Sequence, residues 1–281
     1  MRLLLMVALA MTAFAANSVL NRTALTGGDT DPIAFGVLRL TAGAAVLVPL
    51  VWLRGGRLAL WGGRRLVGVA ALLIYVFGFS LAYLRLDAGL GALILFGFVQ
   101  ITMFGGALVL REPVPLQRWA GAAMAFGGLI WLLWPGAAAN VPLAAGLSMA
   151  AAGVAWGVYS LAGRGGGDPL AATAAQFLLA SGVVLVVGVA LALWPQSDAL
   201  RMTVEGAALA VVSGAVTSGL GYALWYRVLP RLEASSAGAA QLSVPIIAMI
   251  GGAAVLGEPL TRDFAVAACL VLGGVALSLR R

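Results

Sequence analysis

Ile101 to Pro113 reads ITMFGGALVLREP, and Ile247 to Pro259 reads IAMIGGAAVLGEP, 146 positions further on. Nine of the thirteen residues coincide: Ile101 with Ile247, Met103 with Met249, Gly105-Gly106 with Gly251-Gly252, Ala107 with Ala253, Val109-Leu110 with Val255-Leu256, and Glu112-Pro113 with Glu258-Pro259. Gly127-Gly128 returns as Gly273-Gly274 at the same offset. In an apolar chain, self-similarity at a long fixed interval marks a transporter built from two repeats around one central site.

The chain is apolar enough for that reading. It is 62% hydrophobic and only 10% charged, with a mean hydropathy of +1.05, far from the composition of a soluble globular domain. Ten apolar runs, at about 3–21, 32–53, 66–85, 89–110, 116–134, 143–162, 170–194, 205–229, 235–256 and 262–280, are each long enough to cross roughly 30 Å of hydrocarbon as a helix. The breaks between them are short and carry arginine, aspartate, glycine or proline, as in Arg54-Gly55-Gly56-Arg57. No loop is long enough for a soluble domain. The expected fold is therefore all-α and integral to the membrane, with ten transmembrane helices in two five-helix repeats, residues 1–138 and 139–281.

The net charge of +7 comes from arginine alone, with no lysine or histidine. These arginines are spread over loops, so nucleic acid is not the expected partner; the lipid bilayer is. With the N-terminus inside, twelve loop arginines fall on the cytoplasmic side (Arg2, Arg54, Arg57, Arg64, Arg65, Arg111, Arg118, Arg164, Arg227, Arg231, Arg280, Arg281) and four outside (Arg22, Arg85, Arg201, Arg262). This bias predicts that both termini are cytoplasmic, and the expected location is a bacterial inner membrane, crossed several times. The single Cys269 excludes an intrachain disulfide.

The first segment, Arg2 followed by LLLMVALAMTAFA, also resembles a cleavable secretory signal. The repeat argues for keeping it as the first helix. Phe14 to Ser18 and Trp156 to Ser160 are placed alike before Arg22 and Arg164, and Asp31-Pro32 and Asp168-Pro169 then open helices two and seven. Five helices per repeat is an odd number, so the second copy enters the membrane from the opposite side. Two inverted copies can exchange similar conformations and open one site to each face in turn.

Tyr226, Ala234-Ser235, Pro245, Gly257-Glu258-Pro259-Leu260 and Gly273-Gly274 resemble the EamA-type members of the drug/metabolite transporter superfamily, over all ten apolar runs. The resemblance implies a ten-helix inverted-repeat carrier for small organic solutes, commonly an exporter of amino acids or metabolites. Taken whole, the chain is most similar to the YddG exporters of aromatic and other apolar amino acids.

Single residues give the candidate site. Glu112 and Glu258 each precede a proline that opens a helix, where a carboxylate faces the positive end of that helix; the alternative is an ion site. Arg39 sits seven residues into helix two, roughly 10 Å deep at about 1.5 Å per residue. A buried arginine is costly unless paired or wet, so it either holds a substrate carboxylate, bridges helices, or snorkels to the surface. Its counterpart in helix seven is Gln176. Asn17, Gln100, Gln176 and Gln241 lie mid-helix, as interhelical glue or as the polar lining of a shared cavity. Tyr75, Phe79, Trp156, Tyr159 and Tyr222 would supply its aromatic walls, while Trp52, Trp61, Trp134 and Trp194 belong to the interfacial belt. Gly146, Ala150, Gly153 and Gly157 on helix six, and Gly214, Ser218 and Gly221 on helix eight, form small-residue faces for close packing.

An enzyme is the competing class. No histidine is present, the ten carboxylates all fall in or beside loops, and no phosphate-binding Gly-Lys-Ser/Thr loop occurs. No ring of like charges points to a channel. The expected function is a secondary carrier, not an enzyme, that moves a small-molecule substrate outward without metal or cofactor and with no obligate protein partner evident. With no deep carboxylate to relay protons, facilitated diffusion or exchange is expected over proton coupling.

Overall fold

Asp31 caps a helix as its sequence suggests: its carboxylate accepts from the Ile33 and Ala34 amides at 2.8 and 3.0 Å, with Pro32 filling the first turn. Asp168 does the same for the Leu170 amide at 3.0 Å. The computed structural model describes residues 2–109, 116–133, 141–163, 167–192, 200–232, 237, 240–241 and 243–278. Glu112-Pro113, Trp134, Arg164, Trp194 and Ala234-Ser235 lie outside the described residues.

Helices α1 (Arg2–Leu25), α2 (Pro32–Leu53), α3 (Gly63–Tyr83), α4 (Ala88–Val109), α5 (Leu116–Leu133), α6 (Leu143–Gly163), α7 (Pro169–Ala192), α8 (Val204–Arg231), α9 (Ser243–Leu256) and α10 (Arg262–Ser278) follow one another, with no strand among the described residues. Seven of these, α1 to α4 and α6 to α8, are long and apolar enough to cross a membrane; Ser243–Leu256 and Ala265–Gly274 are shorter apolar stretches. Large apolar side chains such as Leu5, Ile74, Val186 and Val255 face outward, as lipid contact requires. Trp52 and Trp61 are likewise exposed.

The two halves interleave. Helices α3 and α4 pack on α6, α2 packs on α7 and α8, α9 on α1 and α4, and α10 on α5. Small residues allow these approaches: a Cβ on Gly153 would press on the Leu95 carbonyl, and one on Gly157 on Thr102. Within α8, Ser213–Leu220 is wound as a π-helix. That local unwinding turns Ser213, Thr217 and Ser218 toward α1 and α2, and it brings Gly214 so close to α2 that a Cβ would overlap the Arg39 carbonyl.

Candidate functional site

Arg39 is fully buried. Its Nε donates to Ser218 Oγ at 2.9 Å, and its Nη2 donates to the Tyr222 hydroxyl at 2.7 Å and the Tyr75 hydroxyl at 3.3 Å. The guanidinium carbon lies 5.3 Å from the ring centroids of both Tyr75 and Phe79, within cation–π range. Nη1 has no partner, and among the described residues no carboxylate pairs with this cation. The side chain turns inward, so it does not snorkel. Hydroxyls and ring faces offset part of the cost of burial, but an ion that lacks a counter-ion in a dry interior remains expensive.

Around it lies a polar and aromatic layer contributed by α1, α2, α3, α6, α8 and Gln241, which precedes α9. Asn17 accepts from Ser213 Oγ at 2.6 Å and Thr217 Oγ1 at 3.1 Å, and its Nδ2 donates to the Tyr75 hydroxyl at 3.3 Å. The Trp156 indole donates to Gln241 Oε1 at 3.1 Å. Trp156 also touches the rings of Tyr222, Tyr75 and Phe14 at centroid distances of 4.6, 5.0 and 5.2 Å and stacks on Tyr159 at 5.3 Å. Tyr226 stacks beneath Tyr159 at 5.0 Å and donates to its carbonyl at 2.9 Å.

The structure thus brings together Asn17, Arg39, Tyr75, Phe79, Trp156, Tyr159, Tyr222 and Gln241. Within this set the rings lie against one another, with centroid distances from 4.6 Å (Trp156–Tyr222) to 6.2 Å (Tyr75–Tyr222). Gln176 stands apart, on the wall of a cavity of about 340 Å³ bounded by the start of α3, the ends of α6 and α8 and the start of α7. Arg64, Arg65 and Tyr226 line it too, and Arg65 donates to the Ala172 carbonyl at 2.8 Å. Gln100 is half-buried on α4. Sequence reasoning missed Ser213 and Thr217 and took Ser218 only for a packing residue; the four-residue spacing of the first two hydroxyls was the available signal.

The opposite end of the bundle is tied shut. Arg22 at the end of α1 donates to Glu258 Oε1 at 3.3 Å, to Asp87 Oδ1 at 3.4 Å and to the Tyr83 carbonyl at 2.9 Å. Glu258 Oε2 accepts from the Ala88 amide at 2.8 Å. This corrects the expected role of Glu258: its carboxylate caps α4 rather than the helix that follows it, because Arg22 draws it across the bundle. Burial pushes the Glu258 carboxyl above its ordinary value, Asp87 adds to the rise, and the Ala88 amide and Arg22 oppose it.

The sequence profile of the EamA-like transporter family matches residues 1–134 and again residues 143–280. The chain belongs to the EamA-like transporter family. This EamA-like chain is 47% identical over 279 residues to an uncharacterized protein of Pseudomonas aeruginosa, across 99% of this chain and 94% of the relative. It is 24% identical over 260 residues to an uncharacterized transporter of Archaeoglobus fulgidus, across 89% and 90%. A crystal structure with 18% identity superposes at a TM-score of 0.70 over 97% of this chain and 96% of the other, a likeness of fold. The EamA-like protein is a multi-pass membrane transporter, and the Arg39 layer lies within its packed interior.

Proposed function

We propose that this transporter is a secondary carrier of the bacterial inner membrane that moves small, largely apolar organic solutes outward by alternating access. Aromatic amino acids are the class that its likeness to the YddG exporters names. The observation that carries the reading is Arg39, a buried cation with an unpartnered Nη1 inside a shell of aromatic rings. An ionisable group kept at such depth is a site for a charged ligand by default, and the rings match an apolar body.

The proposed architecture is ten spanning helices in two inverted repeats, residues 1–138 and 139–281, with both termini cytoplasmic. Its support is the double family match and a repeat that extends further: Arg85-Leu86-Asp87-Ala88 returns as Arg231-Leu232-Glu233-Ala234 at the same offset. In this orientation the 340 Å³ cavity faces the cytoplasm, and the Arg22–Glu258–Asp87 contacts close the outer end. Arg39 lies between them, as alternating access needs. The described members of the layer include no carboxylate, which favours facilitated diffusion or exchange over proton coupling.

Counterflow in liposomes tests this. Purified protein loaded with unlabelled phenylalanine should take up labelled phenylalanine saturably, with pH equal on both sides. Uptake that needs an imposed proton gradient would refute the coupling. No saturable uptake of any apolar amino acid or related acid would refute the carrier.

A further inference from the structure

Given the carrier reading above, the hydrogen-bond donors and acceptors of the Arg39 layer narrow the substrate class. The acceptors are largely spent. Asn17 Oδ1 takes both Ser213 and Thr217, Gln241 Oε1 takes the Trp156 indole, and Ser218 Oγ takes Arg39 Nε. Donors are in surplus. Within the layer Arg39 Nη1 is an unpartnered donor and the buried Tyr159 hydroxyl, which can donate or accept, is also unpartnered; the unpartnered acceptor Gln176 Oε1 lies outside the layer, on the cavity wall. The Tyr75 hydroxyl is approached by Asn17, Arg39 and Tyr222 as donors, so none of these three takes its own proton.

Charge runs the same way along the path inward. Among the described residues the cavity wall carries Arg64 and Arg65 and no acidic side chain, so their field gathers anions and repels cations. Next comes the Tyr159–Tyr226 pair, and beyond it Arg39. An amino acid brought here would satisfy the guanidinium with its carboxylate. Its ammonium needs three acceptors and would find few, beside a fixed positive charge. A carboxylate on an aromatic or aliphatic body without an amine meets both the donors and the rings.

We infer that the site takes organic monocarboxylates lacking a charged amine in preference to amino acids, with the carboxylate on Arg39 and the apolar body among Tyr75, Phe79, Trp156 and Tyr222. The ligand replaces the ring contacts that fill the layer in this closed packing, and it enters when Tyr159 and Tyr226 part.

The test compares three probes of one shape on the intact protein in liposomes: 3-phenylpropanoate, phenylalanine and 2-phenylethylamine, competing against counterflow of labelled 3-phenylpropanoate. A charge-assisted hydrogen bond made without stranding an ammonium is worth about tenfold or more, so 3-phenylpropanoate should compete at least about tenfold better than phenylalanine, and the amine should not compete. Arg39→Gln should abolish that preference while 3-phenylpropanamide, the neutral analogue, competes as before. Arg39→Lys, which keeps the charge, should retain the order of the probes should the glutamine variant not fold. Phenylalanine competing as well as or better than 3-phenylpropanoate overturns the inference and leaves the carrier standing. Saturable flux of none of the probes overturns both.

Discussion

Trp156→Ala puts the packed layer to its hardest test. The side chain is 2% exposed, meets four aromatic rings and donates its indole N–H to Gln241. Truncating a buried tryptophan leaves a void costing about 3–5 kcal/mol, much of it from ring contacts worth roughly 0.5–1.5 kcal/mol a pair. Trp156→Phe separates packing from polarity. It keeps a ring but leaves Gln241 Oε1 without its donor, for a loss of about 1–2 kcal/mol. Adding Gln241→Leu removes the stranded acceptor, so the double variant should regain about half of that loss, a coupling resolvable in a double-mutant cycle. Chemical unfolding in detergent micelles, followed by far-UV circular dichroism without ligand, gives these differences directly. A loss below about 1 kcal/mol for Trp156→Ala would mean that the rings do not close on one another, and that an open cavity stands where the packed layer is placed.

Three further outcomes follow from the same geometry. The Glu258 carboxyl lies above its ordinary 4.5 when the outer end is closed, chiefly through burial. The closed form therefore binds this proton more tightly than the open one; its advantage is full below that ordinary value and is lost as pH rises through the raised one. Spin labels at Thr26→Cys and Leu260→Cys in a Cys269→Ser background should draw together on acidification, and Glu258→Gln should flatten the response. Gly214→Val, which drives a side chain into the Arg39 carbonyl, should cost about 1–3 kcal/mol on unfolding, whereas Gly182→Ala, which meets nothing within 4 Å, should be neutral or slightly stabilising. Reporter fusions after Arg57 and Arg281 should report cytoplasm and one after Ala138 the exterior; a cytoplasmic signal at Ala138 would break the inverted scheme.

Helix starts were legible because their chemistry is local. Asp31-Pro32 and Asp168-Pro169 cap helices whatever the rest of the chain does. That Arg39 would need partners if it stayed inside was legible from its depth, since hydrocarbon tolerates few unpaired ions. Its partners were not. Ser218 reaches Arg39 from within Ser213–Leu220, a segment wound as a π-helix, and SGAVTSGL carries no pattern that distinguishes this from a regular turn. Glu258 was read against its own neighbouring helix, whereas Arg22 and Ala88, 236 and 170 residues away, decide where it points. The shared cavity was expected from polar and aromatic residues at one depth. In the structure the same rings lie against one another, and how much room they leave is set by side-chain positions that local sequence does not fix.

Alternating access is tested most directly by two cysteines, one on each side of Arg39, in a Cys269→Ser background. Gln176→Cys lines the 340 Å³ cavity, and Ser80→Cys lies behind the outer contacts, where Ser80 donates to Asn21 at 2.9 Å. An impermeant thiol reagent is applied to right-side-out and everted vesicles, with and without a transported solute. Alternating access predicts that Gln176→Cys reacts only from the cytoplasmic face and that Ser80→Cys is protected without solute. Adding solute should then make Ser80→Cys reactive from outside as Gln176→Cys reactivity falls. Ser80→Cys that stays protected while flux continues, or both cysteines reacting from one face, would contradict it.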